Sequence, residues 1–456
     1  MNVINRTQSR VSELPEIGLT FFSSGIYLAV IILLIRDYAA VEWSIYLYSF
    51  GNISSIDFLI LIISLIICAI AVPKNIDSPS SMILVVTYLI IVLPAAACLT
   101  AMDYGASDGR YYILIMISLG FFLASIICND RRGNIQSISE YREPSNLLGP
   151  ILTILGVLLM IYLFIRFRSI MSFASLDTLY EQRARGAAGN LLDGYAQTYS
   201  QYVISTGLLA LGMYRRNILY IMVGLAGSIM NYTITAEKAG LVYPFAIICL
   251  FMAVKMKRRL FVTTSMIAII LSFVLFFSIY TRAFLSTSEF ICWYIGTRTI
   301  LTPGAFVVHY ADFFAERGYT FFSHIRGFNL FVPAPAQFAN DPRWPALGVI
   351  LGEDFIGLPR LNANASYVAS DGIAGMGEIG IVVAFVTLAA FGTLLNRLGR
   401  GINPALLLPL LLPIALTLTN GSLFTVFLSM GGLFWTLALS FGFTKSKEPK
   451  KLERII

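Results

Sequence analysis

Charge is scarce in this chain. Of its 456 residues only 12% are Asp, Glu, Lys or Arg, against about 25% in a soluble domain, and this excludes a water-soluble globular fold. Regular alternation of apolar and polar residues is also missing: runs such as DFLILIISLIICAIAV do not alternate, which excludes a transmembrane β-barrel. The five cysteines (Cys68, Cys98, Cys128, Cys249, Cys292) have no CxxC spacing and four fall in or at the ends of apolar runs, so neither a zinc site nor a disulfide framework is indicated. There is no Walker loop, HExxH or GxSxG, which leaves ATP-driven transport and the common hydrolases without support. No DxD pair occurs either, so no metal and no cofactor are expected. Histidine is nearly absent, with only His309 and His324.

What is present is oil. The chain is 57% hydrophobic with a mean hydropathy of +0.78, and its apolar runs are long enough, at roughly 17–25 residues, to cross a hydrocarbon core. The expected fold is all-α, a polytopic integral membrane protein forming a single membrane domain over 1–456. About twelve spans are expected, near 18–35, 56–72, 82–100, 111–128, 149–166, 197–213, 217–232, 238–254, 261–280, 376–394, 403–419 and 422–442. The run TFFSSGIYLAVIILLI leads into Arg36 and Asp37 without a small-residue cleavage site, so it reads as a retained first span.

The basic clusters give the sidedness. MYRRN, KMKRR, NDRRGN and NRLGR fall on one face when the spans alternate, together with both termini; that face is expected to be cytoplasmic. Its segments carry a net +11 and the remainder −4, so the sequence pI near 9.1 is a topology signal and no nucleic-acid partner is expected. Two connections then lie outside, 167–196 and the long 281–375. The long one is too ordered in composition to be a linker, and a loop of that length is more often functional than not. The outer side holds twelve arginines and one lysine, Lys238. Snorkelling alone would not separate the two residue types in this way, whereas planar, bidentate anion recognition favours arginine.

Leading into YEQRARGAAGNLLDG, a helix capped by Ser175 and stopped at Gly186 would place Leu176, Leu179, Tyr180 and Arg183 on one face and Arg185 on the other. A guanidinium on an apolar stripe needs an anion, and a lipid phosphate or a nearby carboxylate serves as well as a substrate. Arg298 precedes Thr302–Pro303, read as the start of a helix running to Arg317 and stopping at Gly318; free N–H groups at such a start also favour an anion. Lys238, after Glu237, opens the eighth span from outside, and a neutralising Glu237–Lys238 pair or simple snorkelling accounts for it as well as an anion does. For proton transfer the candidates are His309, with Asp312 one turn on, and His324 in TFFSHIRGF. Glu316, Glu353, Asp354 and Asp371 are further carboxylates left unranked.

Four features together resemble the bacterial O-antigen polymerases. They are arginine–ten residues–glycine from Arg183 to Gly194, RTILTPGAFVVHYADFF, the lysine in TAEKAGLVYP, and NANASYVASDGIAGMGEIGI. They cover residues 175 to 385; the first half matches only in topology. The pattern departs at Arg298, where position 309 is histidine and not a second glycine.

The resemblance implies a GT-C-like, metal-independent, inverting glycosyltransferase of the bacterial inner membrane with its active site facing the periplasm. Its substrates would be undecaprenyl-pyrophosphate-linked oligosaccharides, with membrane lipids around it and a chain-length regulator and a flippase as pathway partners. The growing glycan would pass to an acceptor repeat unit, releasing undecaprenyl pyrophosphate. Arg183, Arg298, Arg185 and Lys238 would then hold the pyrophosphate, and His309, His324 or Asp312 would serve the acceptor proton. An O-antigen ligase and, from another class, a lipid-linked oligosaccharide flippase remain the alternatives.

Overall fold

The computed structural model describes residues 2–103, 109–129, 141–173, 179–186, 189–237, 239–256, 263–325, 327–359 and 361–446. Helix accounts for 76% of the structure and strand for almost none. Among the described residues the strands are the pair β1 (Tyr141–Pro144) and β2 (Phe443–Ser446), antiparallel. Among the described residues eight helices are long and apolar enough to cross a membrane. They are α1 (residues 2–42, with the apolar part Pro15–Glu42), α3 (Pro79–Ala101), α4 (Arg110–Asn129), α5 (Leu148–Phe167), α8 (Ile218–Thr235), α10 (Thr264–Thr281), α11 (Ser286–Arg317) and α13 (Val368–Leu398). Shorter apolar helices are α2 (Ser55–Ala71), α9 (Ala239–Lys255), α14 (Pro404–Asn420) and α16 (Gly432–Phe441). Four more elements complete the helices used here: α6 (Leu179–Gly186), α7 (residues 191–215), α12 (Leu347–Asp354) and α15 (Leu423–Leu428).

Local sequence explains the starts. Ser54 with Asp57 and Asn190 with Asp193 form reciprocal capping boxes, and Ser78 caps α3 with Pro79 at the first helical position. Helix α5 shows how the bundle meets its surroundings. Ile154, Leu158, Ile161 and Ile165 are all exposed along it, a stripe at helical spacing that suits hydrocarbon and not water. Inside, an aromatic column joins α3, α4 and α13: Tyr88 stacks on Phe121 at 5.6 Å, Phe121 meets Phe385 edge-on at 6.1 Å, and Phe385 meets Tyr367 at 5.7 Å.

Three expectations change. The span expected at 422–442 is broken into α15 and α16 at Ser429–Gly431, where Gly431 takes φ +100, a left-handed turn that ends one helix and begins the next. The helix expected to begin at Thr302–Pro303 begins at Ser286, although it stops at Arg317–Gly318 as the sequence indicates. The stretch 281–375 therefore contains a 32-residue helix of spanning length.

Pro303 is accommodated by a π-helical stretch, Cys292–Leu301, directly upstream. A proline ring clashes with the carbonyl four residues back and offers no N–H, and a widened turn moves that carbonyl aside. Pro94 in α3 follows the π turn Tyr88–Val92 in the same way. The two junctions face each other: a Cβ on Gly304 would stand 2.6 Å from the Ala95 amide nitrogen and 2.6 Å from the Pro94 carbonyl oxygen. The glycine lets α11 lie backbone to backbone on α3.

Candidate functional site

The short helix α6 carries Arg183, and Gln182 docks it. The buried Gln182 amide donates to the carbonyls of Ile170 at 2.7 Å and Thr233 at 2.6 Å, while its oxygen accepts from the Ser172 hydroxyl at 2.8 Å. The Gly186 carbonyl accepts from Gln197 at 3.1 Å, and Gly186 packs against the Ile234 carbonyl with no room for a Cβ. The helix is thereby fixed to the end of α8 and to α7. Asp193, buried, anchors α7 in turn, accepting from Tyr162 at 2.7 Å and pairing with Arg166 at 3.2 Å.

On this mount Arg183 faces inward and Arg185 outward, as the helical spacing requires. Ser175 and Leu176 lie outside the described residues. The Arg183 Nε is buried and has no hydrogen-bond partner among the described residues. Its charge acts on the hydroxyls of Tyr202 in α7 and Tyr294 in α11. Arg298, one turn beyond Tyr294, lies over the Trp293 ring at 5.2 Å and also acts on Tyr294, and on Tyr48. Two arginines distant in sequence thus converge on one phenol. Arg298 does this from the π stretch and not from a helix start, so free N–H groups play no part there.

Tyr202 extends the group. Its hydroxyl donates to Glu237 Oε2 at 3.0 Å, its ring meets Tyr243 at 5.7 Å, and the Tyr243 hydroxyl is 2.9 Å from that of Thr417. Glu237 sits in the tight turn from α8 to α9. Ala236, 1% exposed, takes a left-handed conformation there at φ +50, which costs a non-glycine residue roughly 1–2 kcal/mol. The Glu237 N–H donates to the Thr235 hydroxyl at 3.3 Å. Such strain, held by surrounding packing, is often found where a side chain has to be aimed. Lys238 lies outside the described residues.

The proton-transfer candidates stand elsewhere. His309 is buried on α11 with its ring near Phe306 at 6.1 Å and Phe355 at 5.9 Å, and its Nε2 has no hydrogen-bond partner among the described residues. Asp312, one turn further along α11, is half-buried. His324 Nδ1 is 2.7 Å from the Thr320 hydroxyl, and its Nε2 is 3.9 Å from Asp371 Oδ1. Burial pushes the His324 imidazole down to about 4, and this desolvation outweighs its hydrogen bond to the Ser370 backbone. Asp371 accepts from the Ser422 hydroxyl at 2.7 Å and the Leu423 N–H at 2.5 Å. Glu353 and Asp354 both bind Arg343, with Asp341 as the third partner, and this ties α12 to the loop before it. Among the described residues, the contacts of the two histidines are with Phe306, Phe355, Thr320, Ser370 and Asp371, and not with Arg183, Tyr202, Tyr294 or Glu237.

Sequence reasoning found both arginines but not Tyr202, Tyr294 or Gln182, and it read Glu237 only as a partner for Lys238. With 23 tyrosines in the chain, nothing in their spacing singles out these two. The glycine of the arginine–ten–glycine spacing is also informative: Gly194 is exposed in the first turn of α7, and a Cβ there would meet nothing within 4 Å. No family model, no curated protein and no solved structure matches this chain.

Proposed function

We propose that this chain is a surface-polysaccharide polymerase of the O-antigen type. On the outer leaflet of a bacterial inner membrane it joins undecaprenyl-pyrophosphate-linked repeat units and releases undecaprenyl pyrophosphate. The observation that supports the reading is the convergence of Arg183 and Arg298 on Tyr294. A leaving pyrophosphate gains negative charge as the glycosidic bond breaks, and fixed cations beside a phenol donor stabilise that charge more than they stabilise the ground state. Each charge-assisted contact is worth about 1.5–3 kcal/mol. Trp293 under the Arg298 guanidinium orients the intrinsically planar fork, a geometry that lysine lacks. Arg185, exposed on the far side of α6, and Lys238 assist from the rim. The acceptor sugar hydroxyl attacks the anomeric carbon of the growing glycan, the bond to pyrophosphate breaks, and a base takes the hydroxyl proton.

The test is incubation of purified protein with a defined lipid-linked repeat unit, without metal, followed by product sizing. Ladders of added repeat units are expected from the wild type and none from Arg183→Ala, with membrane insertion unchanged. Transfer only to a lipopolysaccharide core acceptor would make the chain a ligase, and lipid movement with no new glycosidic bond would make it a flippase; either result refutes the proposal.

A further inference from the structure

We infer that Glu237 is the general base for the acceptor hydroxyl, an inference that rests on the polymerase reading above. Three observations carry it. Glu237 is the carboxylate joined to the arginine group: Tyr202 donates to its Oε2 at 3.0 Å and is the same phenol on which Arg183 acts. It is aimed by a buried backbone turn, with Ala236 left-handed at φ +50 and the Glu237 N–H donating to the Thr235 hydroxyl. Gly240, the second residue of α9, lies so close to α8 that a Cβ would stand 2.9 Å from the Tyr232 Cβ and 3.0 Å from the Ser228 carbonyl oxygen, so α9 starts packed directly on α8. The histidines offer less. His309 is packed at Phe306 and Phe355, and His324 faces Asp371.

The chemistry balances. Glu237 Oε1 takes the proton of the acceptor sugar hydroxyl as that oxygen forms its bond to the anomeric carbon. The bond from that carbon to the pyrophosphate oxygen breaks, and its electron pair leaves with undecaprenyl pyrophosphate toward Arg183 and Arg298. The proton then passes from Glu237 to water. Tyr202 holds Oε2 and stabilises the ionised carboxylate, which leaves the other oxygen for the substrate. Tyr202 is a positioning residue in this scheme. The carboxylate stands beside the arginine group yet repels the pyrophosphate, so binding and turnover should respond to its removal in opposite directions.

The experiment uses the full chain in nanodiscs, with undecaprenyl pyrophosphate as the binding probe and the lipid-linked repeat unit as substrate. Glu237→Gln should bind the probe at least as tightly as wild type, because a neighbouring negative charge has gone, while turnover falls about 10²–10⁴-fold. Glu237→Asp should recover part of the rate. Tyr202→Phe keeps the carboxylate but removes a donor to its charged form, so the acid limb of the rate profile should move to higher pH. Wild-type turnover in Glu237→Gln, or loss of binding in step with turnover, would overturn the assignment, as would an unshifted acid limb in Tyr202→Phe. Arg183→Ala is run alongside. If it leaves both binding and polymerisation intact, the polymerase reading fails; if it abolishes both while Glu237→Gln keeps its rate, only the base assignment fails.

Discussion

Replacing Gly304 by alanine tests whether the contact between α11 and α3 sets the position of Arg298. The new Cβ would stand 2.6 Å from both the Ala95 nitrogen and the Pro94 carbonyl oxygen, where ordinary contact begins at 3.4 Å. Both neighbours are backbone, so no rotamer change relieves the clash and the helices have to separate by roughly 0.8 Å or more. Overpacking of this kind costs about 1–3 kcal/mol, and a backbone-to-backbone clash belongs at the upper end of that range. Arg298 lies less than two turns upstream on the same helix, so a shift near 1 Å at its guanidinium should lower the rate about 10²-fold. The assay pairs a thermal midpoint in detergent with product sizing, and Gly194→Ala serves as the control. That glycine is exposed in the first turn of α7 with nothing within 4 Å of a Cβ, so alanine there should be neutral or should stabilise by about 0.5–1 kcal/mol. If Gly304→Ala keeps both midpoint and product length, or if Gly194→Ala is the more damaging of the two, the packing argument is wrong.

Gln182→Leu leaves the Ile170 carbonyl without its donor and takes one of two donors from the Thr233 carbonyl, which keeps the Ser172 N–H, at about 1–3 kcal/mol for the orphaned buried group. Proteolysis within α6 should then accelerate tenfold or more, and an unchanged rate would show that α6 is held by other contacts. His324 gives a pH test. Its folded-state pKa of about 4 lies below the ordinary 6.5, so between those values the unfolded chain binds the extra proton. The contribution is complete above pH 6.5 and is lost as pH falls toward 4. The thermal midpoint should therefore drop across that window in wild type and drop less in His324→Gln; coincident profiles would refute the burial argument.

The helices read most directly from the sequence are those whose outer faces meet lipid. Helix α5 is only 22% buried over its apolar window and has a mean hydropathy of 2.5, so its run announces itself. Helix α11 was not legible as one helix because its surroundings are mostly protein. Its window is 67% buried with a mean hydropathy of 1.2, the lowest of the eight, and it carries Glu289, Arg298, His309 and Asp312. Thr302–Pro303 imitated a helix start because proline is favoured at the first helical position, and no sequence signal marks the π stretch that lets the helix run through it. At the site, the inward face of Arg183 was legible because helical spacing fixes direction. Its partners were not, since Tyr202 comes from α7, Tyr294 from α11 and Glu237 from the turn between α8 and α9, and they meet only through tertiary packing.

The π turns also bear on why the polar group can exist at all. A helix in a low-dielectric bundle satisfies its own backbone, so polar side chains are the main source of unpaired polarity, and a regular helix sets their direction by its fixed 3.6-residue period. A π turn breaks that period locally and rotates the residues beyond it. Tyr202 lies in the stretch Ser200–Ser205, Trp293, Tyr294 and Arg298 in Cys292–Leu301, and Asp371 in Val368–Ile373. In α7 and α11 the π stretch offsets the residues beyond it from the period of the turns before it. The arginines then sit where a bare cation is costly, beside Trp293 and the tyrosines. An arrangement that leaves the buried Arg183 Nε without a partner among the described residues is poor as a structural device and well suited to receiving an anion. That difference separates a binding group from the Arg343 cluster, where three carboxylates already surround the guanidinium.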